Sequence, residues 1–229
     1  MGENKMKNYI VILLGLSLIA AVSQAAPTIY GFTAITSNSV IDPAIGAAQL
    51  SLSVDAYGTN QVLFNFSNSG PLACSITDIY IEDGILGLTG ILNETGVSFV
   101  ESSSKNKINF PAGNPIGFDP DKQLSVYSDA PAQPNGVNPN EHVGLVFDLL
   151  GGYTIDEIIN RLDNGIGTTT NVLGDIRVGI HVQGFADGSS ESFVLTNHPQ
   201  DTPVVPAPSA LMLAGIGLSC LWKTRKQWR

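Results

Sequence analysis

Cysteine is nearly absent from this chain, which has two in 229 residues, Cys74 and Cys220. A small secreted scaffold stapled by disulfides is therefore excluded, and Cys74 reads as a small buried apolar side chain. Basic residues are scarce as well. Between Ala26 and Pro208 there are five (Lys105, Lys107, Lys122, Arg161, Arg177) against nineteen acidic ones, a net charge of −14. Nucleic-acid backbones are held by clustered lysine and arginine, so a body this acidic excludes nucleic acid as a partner. The three histidines, His142, His181 and His198, have no histidine or cysteine partner at metal-ligand spacing. The chain carries no Gly-x-Ser-x-Gly elbow, glycine-rich phosphate loop or dinucleotide fingerprint. The expectation is a non-enzyme with no catalytic residue, metal ligand or cofactor.

Long apolar runs are confined to the two ends. At the first, Lys5 and Lys7 precede the run Tyr9–Ala21, and Ser23-Gln24-Ala25 places small residues where a signal peptidase reads. Residues 1–25 are expected to be a secretory signal peptide, cut between Ala25 and Ala26. At the other end stand Pro206-Ala207-Pro208, an uncharged run from Ser209 to Trp222, and then Lys223, Arg225, Lys226 and Arg229. A core helix needs a polar face, which this run lacks. It is also short of the roughly 20 residues a spanning helix needs. Positive charge flanks the outer side of both runs, so the middle of the chain is expected outside the cytoplasm.

The order Pro-x-Pro, short apolar helix, basic terminus resembles the PEP-CTERM sorting signal of exopolysaccharide-producing Gram-negative bacteria. The resemblance covers the last two dozen residues, with Ala207 where the family usually has Glu. It implies a transient inner-membrane anchor, helix 209–222, handled by an exosortase near Pro206-Ala207-Pro208, with the basic tail Lys223, Arg225, Lys226 and Arg229 left inside. It also implies a cell-surface or extracellular destination, with exopolysaccharide as a possible partner. The segment Val143–Phe193 looks similar to the distal part of many PEP-CTERM proteins, which implies a secreted β-domain and no particular activity.

Residues 26–196 are long enough for one domain with a core. Leu50, Leu52, Val54 and Ala56 alternate with polar residues, Val62, Phe64 and Phe66 do so again, and Gly58-Thr59-Asn60 links the two as a hairpin. Further strands are expected at Thr28–Ile35, Ser75–Glu82, Val143–Leu150, Ile176–Gln183 and Ser192–Thr196. One helix is expected after Thr154, whose spacing to Glu157 makes a capping box and whose Ile155, Ile158, Ile159 and Leu162 share a face. Glu101–Asn140, interrupted by six prolines, reads as a long excursion with short edge strands around Gln123–Ser128, and is the first place to look for ligand contacts. The expected fold is mostly β, an antiparallel sandwich of jelly-roll or Ig-like type with one short inserted helix. A flexible linker, 197–205, leads to the tail. His181 is expected on a polar strand face beside Arg177 and Gln183. Asp119-Pro120-Asp121 and Asp83-Gly84 suggest calcium only weakly, for lack of further regularly placed acids. The alternative function is a carbohydrate- or calcium-binding module, with Tyr127 and Tyr153 as the aromatic contacts.

Overall fold

The computed structural model describes residues 26–82, 84–102, 108–167 and 174–197. Ten strands carry the fold: β1 (Thr28–Ala34), β2 (Leu50–Tyr57), β3 (Gln61–Asn68), β4 (Ser75–Glu82), β5 (Leu86–Asn93), β6 (Phe99–Glu101), β7 (Val126–Ser128), β8 (Glu141–Leu149), β9 (Arg177–Gln183) and β10 (Glu191–Asn197). Every pairing is antiparallel, in the order β5-β8-β3-β2-β1-β10-β9-β4-β7-β6. The two outermost strands, β5 and β6, are consecutive in the chain. Where they meet, the Asn93 amide donates to the Phe99 carbonyl at 3.0 Å and its oxygen accepts from the Phe99 N–H at 2.8 Å. The sheet is thus nearly closed.

The mostly β, antiparallel expectation holds. In place of a sandwich's two separate sheets there is one continuous ladder. Alternation fixes which residues face inward, and it is the same for a layer and for a rolled sheet. The inward positions of β2 and β3 are buried as the alternation requires. They pack with Phe32, Phe147, Ile180 and Phe193 into one interior, where Phe64 and Phe147 meet edge to face at 5.1 Å between centroids.

Two elements escape the periodicity. β5 has a register shift between Leu88 and Gly90, so its apolar residues fall on both parities and the strand is invisible to a period-two reading. The helix α1 (Asp42–Gln49) lies between the expected strand Thr28–Ile35 and the alternation that begins at Leu50, where no element was expected. Pro43 opens it, where a missing N–H is harmless. Gly46 lets it lie on the Phe193 ring, since a Cβ there would come within 2.1 Å of that ring. A four-residue helix, α2 (Ala132–Asn135), and 3-10 turns at Asn114–Ile116 and Leu150–Gly152 add to the expected single helix.

That expected helix is α3 (Ile155–Gly165), with its capping box formed. The Thr154 N–H donates to Glu157 Oε2 at 2.7 Å, and the Glu157 N–H to the Thr154 hydroxyl at 3.4 Å. Ile158 and Leu162 enter the core, and Tyr30 donates to Asp163 Oδ1 at 2.9 Å. Tyr30 pairs with Asn197, so the start of β1 and the finish of β10 lie side by side at the end of the sheet that α3 covers.

Replacing Thr154 by Ala removes the cap and should cost about 1 kcal/mol. The Thr154 N–H, and after it the hydroxyl, hold the Glu157 carboxyl below its ordinary range. Its contribution is therefore present above the unfolded-state pKa of about 4.3 and is lost as pH falls through the lower folded value. Thermal melts of wild type and Thr154→Ala should differ most at pH 7, and the difference should narrow toward pH 3 only by the part the hydroxyl–carboxylate bond carries, because the bond from the Glu157 N–H to the hydroxyl does not titrate.

Candidate functional site

On β9 the sequence puts Arg177, His181 and Gln183 on one face, and the structure keeps that parity. Arg177 is nevertheless only 3 % exposed. The reason is the proline-rich excursion. Instead of forming a free loop, it lays Ile108, Phe110 and Phe118 over the outer face of β4, β9 and β10, where they pack with Tyr80 and Val194 as a second apolar cluster. Phe110 lies 5.0 Å from Tyr80 and 4.9 Å from Phe118 between centroids. It fits because β9 has Gly179 beneath it, where a Cβ would come within 2.8 Å of the ring. The short strands β6 and β7 continue this flap into the sheet, and β7 falls inside the expected Gln123–Ser128 segment.

A buried ion pair pins the flap. Arg177 Nη1 lies 3.1 Å from Glu82 Oε2. The guanidinium also donates to the carbonyls of Gly117 and Ile116 at 3.1 and 3.0 Å and lies 4.8 Å from the centroid of Phe118. Glu82 accepts in turn from the Asp119 N–H at 3.1 Å. Neither charge faces water, so each depends on the other.

At the margin of the flap a polar cluster remains half open. A register shift at Thr77 turns Asp78 outward, opposite His181 on one side and Tyr127 on the other. Asp78 Oδ2 accepts from the Thr77 hydroxyl at 2.7 Å and lies 3.2 Å from His181 Nδ1, with the Gln183 amide 3.4 Å from the same nitrogen. The carboxylate can only accept, so the shorter contact is a hydrogen bond when Nδ1 carries its proton. Burial, reinforced by the Asp78 carboxylate, holds the Tyr80 phenol far above its ordinary range. Burial also raises Tyr127. Both are neutral hydrogen-bonding groups rather than acids or bases.

The carboxylate–imidazole pair invites a test for a nucleophile. Ser192 stands opposite His181 on β10, but it is 1 % exposed, and its N–H donates to the Thr36 hydroxyl at 2.8 Å. Among the described residues no hydrogen bond joins the Ser192 hydroxyl to His181, and a substrate has no path to it. Ser192 is therefore not placed to serve this pair as a nucleophile. Sequence reasoning found His181 and Gln183 but missed Asp78 and Glu82. Their signal was the three-residue step from Ile76 to Ile79 inside an otherwise alternating strand, which marks a bulge.

Other expected sites are engaged within the protein. Asp121 accepts from the Gln123 N–H at 2.9 Å as a turn residue. Among the described residues no three histidines, cysteines or acids are placed to hold a metal ion. Tyr127 is half-buried, edge to face with Tyr80 at 5.9 Å, and Tyr153 lies under Arg161 at 4.7 Å. Burial pushes the Cys74 thiol up, so it is no nucleophile at neutral pH. His142 pairs with Glu94 at 3.1 Å. Ala26 is exposed ahead of β1. Residues 1–25 with Ala25, Asp83, His198 and the rest of 198–205, Pro206, Ala207, Pro208, the apolar run 209–222, and Lys223, Arg225, Lys226 and Arg229 lie outside the described residues. Among the described residues, no helix is long and apolar enough to cross a membrane. No family model and no curated protein matches the chain.

Replacing Arg177 by Leu would strand Glu82 under the flap. The expected cost is about 3–5 kcal/mol, with earlier amide exchange at Phe110–Phe118 than in the body of the sheet. Chemical denaturation and hydrogen exchange check it, and uniform exchange across both regions would count against a pinned flap.

Proposed function

We propose that this protein is an exported, non-enzymatic component of the cell surface or extracellular matrix, delivered through an N-terminal signal helix and a C-terminal sorting signal. One observation carries the reading: two apolar segments, each with its positive charge on the outer side, enclose an acidic β body. In this reading a signal peptidase cuts between Ala25 and Ala26. Helix 209–222 then holds the chain in the inner membrane until an exosortase acts near Pro206-Ala207-Pro208, while Lys223, Arg225, Lys226 and Arg229 remain inside. The neighbouring positions of the start of β1 and the finish of β10 support it, because both segments then reach one membrane from one end of the body. The acidic surface supports it too, since self-repulsion keeps an exported protein dispersed. A carbohydrate- or calcium-binding module draws less support, because Tyr127 and Tyr153 already have partners within the chain.

Intact-mass measurement of the protein from wild-type cells and from cells lacking the exosortase tests this. The expected result is a chain beginning at Ala26 in both, with a C-terminus near residues 206–208 only in wild type. An identical C-terminus in both strains would overturn the sorting step, and a retained Met1 would overturn export by cleavage.

A further inference from the structure

At the end of the sheet opposite the chain termini, the β3–β4 connection faces α2 and the turn into β8 across a cleft of 390 Å³. Pro71, Ala73 and Ser75 line one side, Gln133, Pro134 and Asn138 the other, and the buried Cys74 lies at the base. The two sides meet where Pro139 abuts Gly70, since a Cβ there would come within 2.9 Å of the proline. No charged side chain lines the cleft. Burial raises the pKa of the Cys74 thiol, so the base is neutral as well. The volume is within the range of small-molecule sites.

Two buried amides hold its walls in place. Asn68 donates to the carbonyl of Cys74 at 2.9 Å and to that of Val137, on the opposite side, at 3.3 Å, and accepts from the Gly70 N–H at 3.0 Å. Gln49 accepts from the Leu72 N–H at 3.2 Å and donates to the Leu72 carbonyl at 2.8 Å. Walls fixed in this way lower the ordering cost of binding. The polar side chains on them are left with capacity to spare. Gln133 is exposed, and among the described residues its side-chain amide has no hydrogen-bond partner. Asn138 spends its amide nitrogen on the Gly136 carbonyl and Glu141, which leaves its oxygen as an acceptor. The Ser75 hydroxyl donates to the Gln133 carbonyl at 3.0 Å and can still accept.

We propose that this cleft binds one residue of a neutral sugar. Its polar groups are amides and a hydroxyl, which pair with ligand hydroxyls as donors or acceptors, and its proline rings offer apolar patches to the C–H face of a sugar ring. Other ligand classes fit less well. An anion meets a body of net charge −14, and a cation finds no carboxylate in the lining. A peptide bound by strand addition needs a free backbone edge. Here Ile76 and Val137 already exchange both backbone bonds, at 3.1 and 3.0 Å, and Ser75 is paired with Gln183. Neither Tyr127 nor Tyr153 lines the cleft, so the site depends on neither aromatic. It lies wholly within the β body and is independent of export and sorting.

The test is amide NMR of the full chain, in a detergent without a sugar headgroup, titrated with the methyl α-pyranosides of glucose, galactose and mannose. At least one should shift the amides of residues 73–75, Gln133, Asn138 and Gly184, with a Kd on the order of 1 mM. Gln133→Ala should raise that Kd about fivefold, the loss of one hydrogen bond. Ala73→Phe, which fills the cleft, should abolish the shifts. Both side chains are exposed, so both variants should keep the wild-type spectrum elsewhere. Thr59→Ala, in the β2–β3 turn at the other end, should bind as wild type does. No shift with any of the three glycosides, shifts centred outside the cleft, or binding unchanged in either cleft variant would overturn the proposal. So would an equal response to glucuronate or to a triproline peptide.

Discussion

The pairing of β1 with β10 is the constraint on which the molecule depends. It joins the first strand to the last, with Tyr30 opposite Asn197 and Ala34 opposite Phe193. Remove it and the ladder separates into two five-stranded halves, β5-β8-β3-β2-β1 and β10-β9-β4-β7-β6. Such long-range closure is costly in chain entropy and must be repaid by burial. Here the return comes from rings at the junction and in both halves. Phe32 stacks on Phe66 at 6.4 Å, and Phe193 fills the space that Gly46 leaves. The same pairing explains why a sandwich was a reasonable expectation: each half alone is a sheet with one apolar face, and only the register of the joining strands merges them.

The flap solves a second problem, set by composition. Outward positions on β4, β9 and β10 include Tyr80 and Val194, apolar residues that an open face would leave wet. The excursion covers them, and covering them buries Glu82 and Arg177 as well. A buried pair of this kind adds little net stability, but it specifies the seating of the flap, since any other seating leaves a charge unanswered. With Arg177 enclosed and Arg161 stacked on Tyr153, few cations remain on the body. The charged side chains left on the body are accordingly mostly acidic, which favours dispersion.

Most of the framework was legible in the sequence because alternation and capping act locally. β2, β3 and α3 were placed within a residue or two, since their signals need no knowledge of the rest of the chain. What escaped depended on partners far away. β5 was hidden by its own bulge. α1 needed Phe193, some 150 residues later, to justify Gly46 in a helix. The excursion looked like loop because its prolines forbid ladder bonds, while its phenylalanines belong to a core that exists only once β4 and β9 lie side by side. The polar cluster was half legible: His181 and Gln183 were visible on one strand, whereas Asp78 reached them through a register shift that single-strand reasoning assigns to the wrong face. The terminal patterns were read directly from residue order, in segments outside the described residues.

The fold gives the molecule two unlike ends, and the chain's economy of charge makes the difference matter. At one end the start of β1 and the finish of β10 lie together under α3. The chain therefore enters and leaves the body at the same end. At the other end α1, Val40 and Ile41 project, supported by a buried carboxylate whose work is to keep them there. The exposure of Val40 and Ile41 is thus set by backbone hydrogen bonds at Asn38 and Ser39, not by burial of their own side chains.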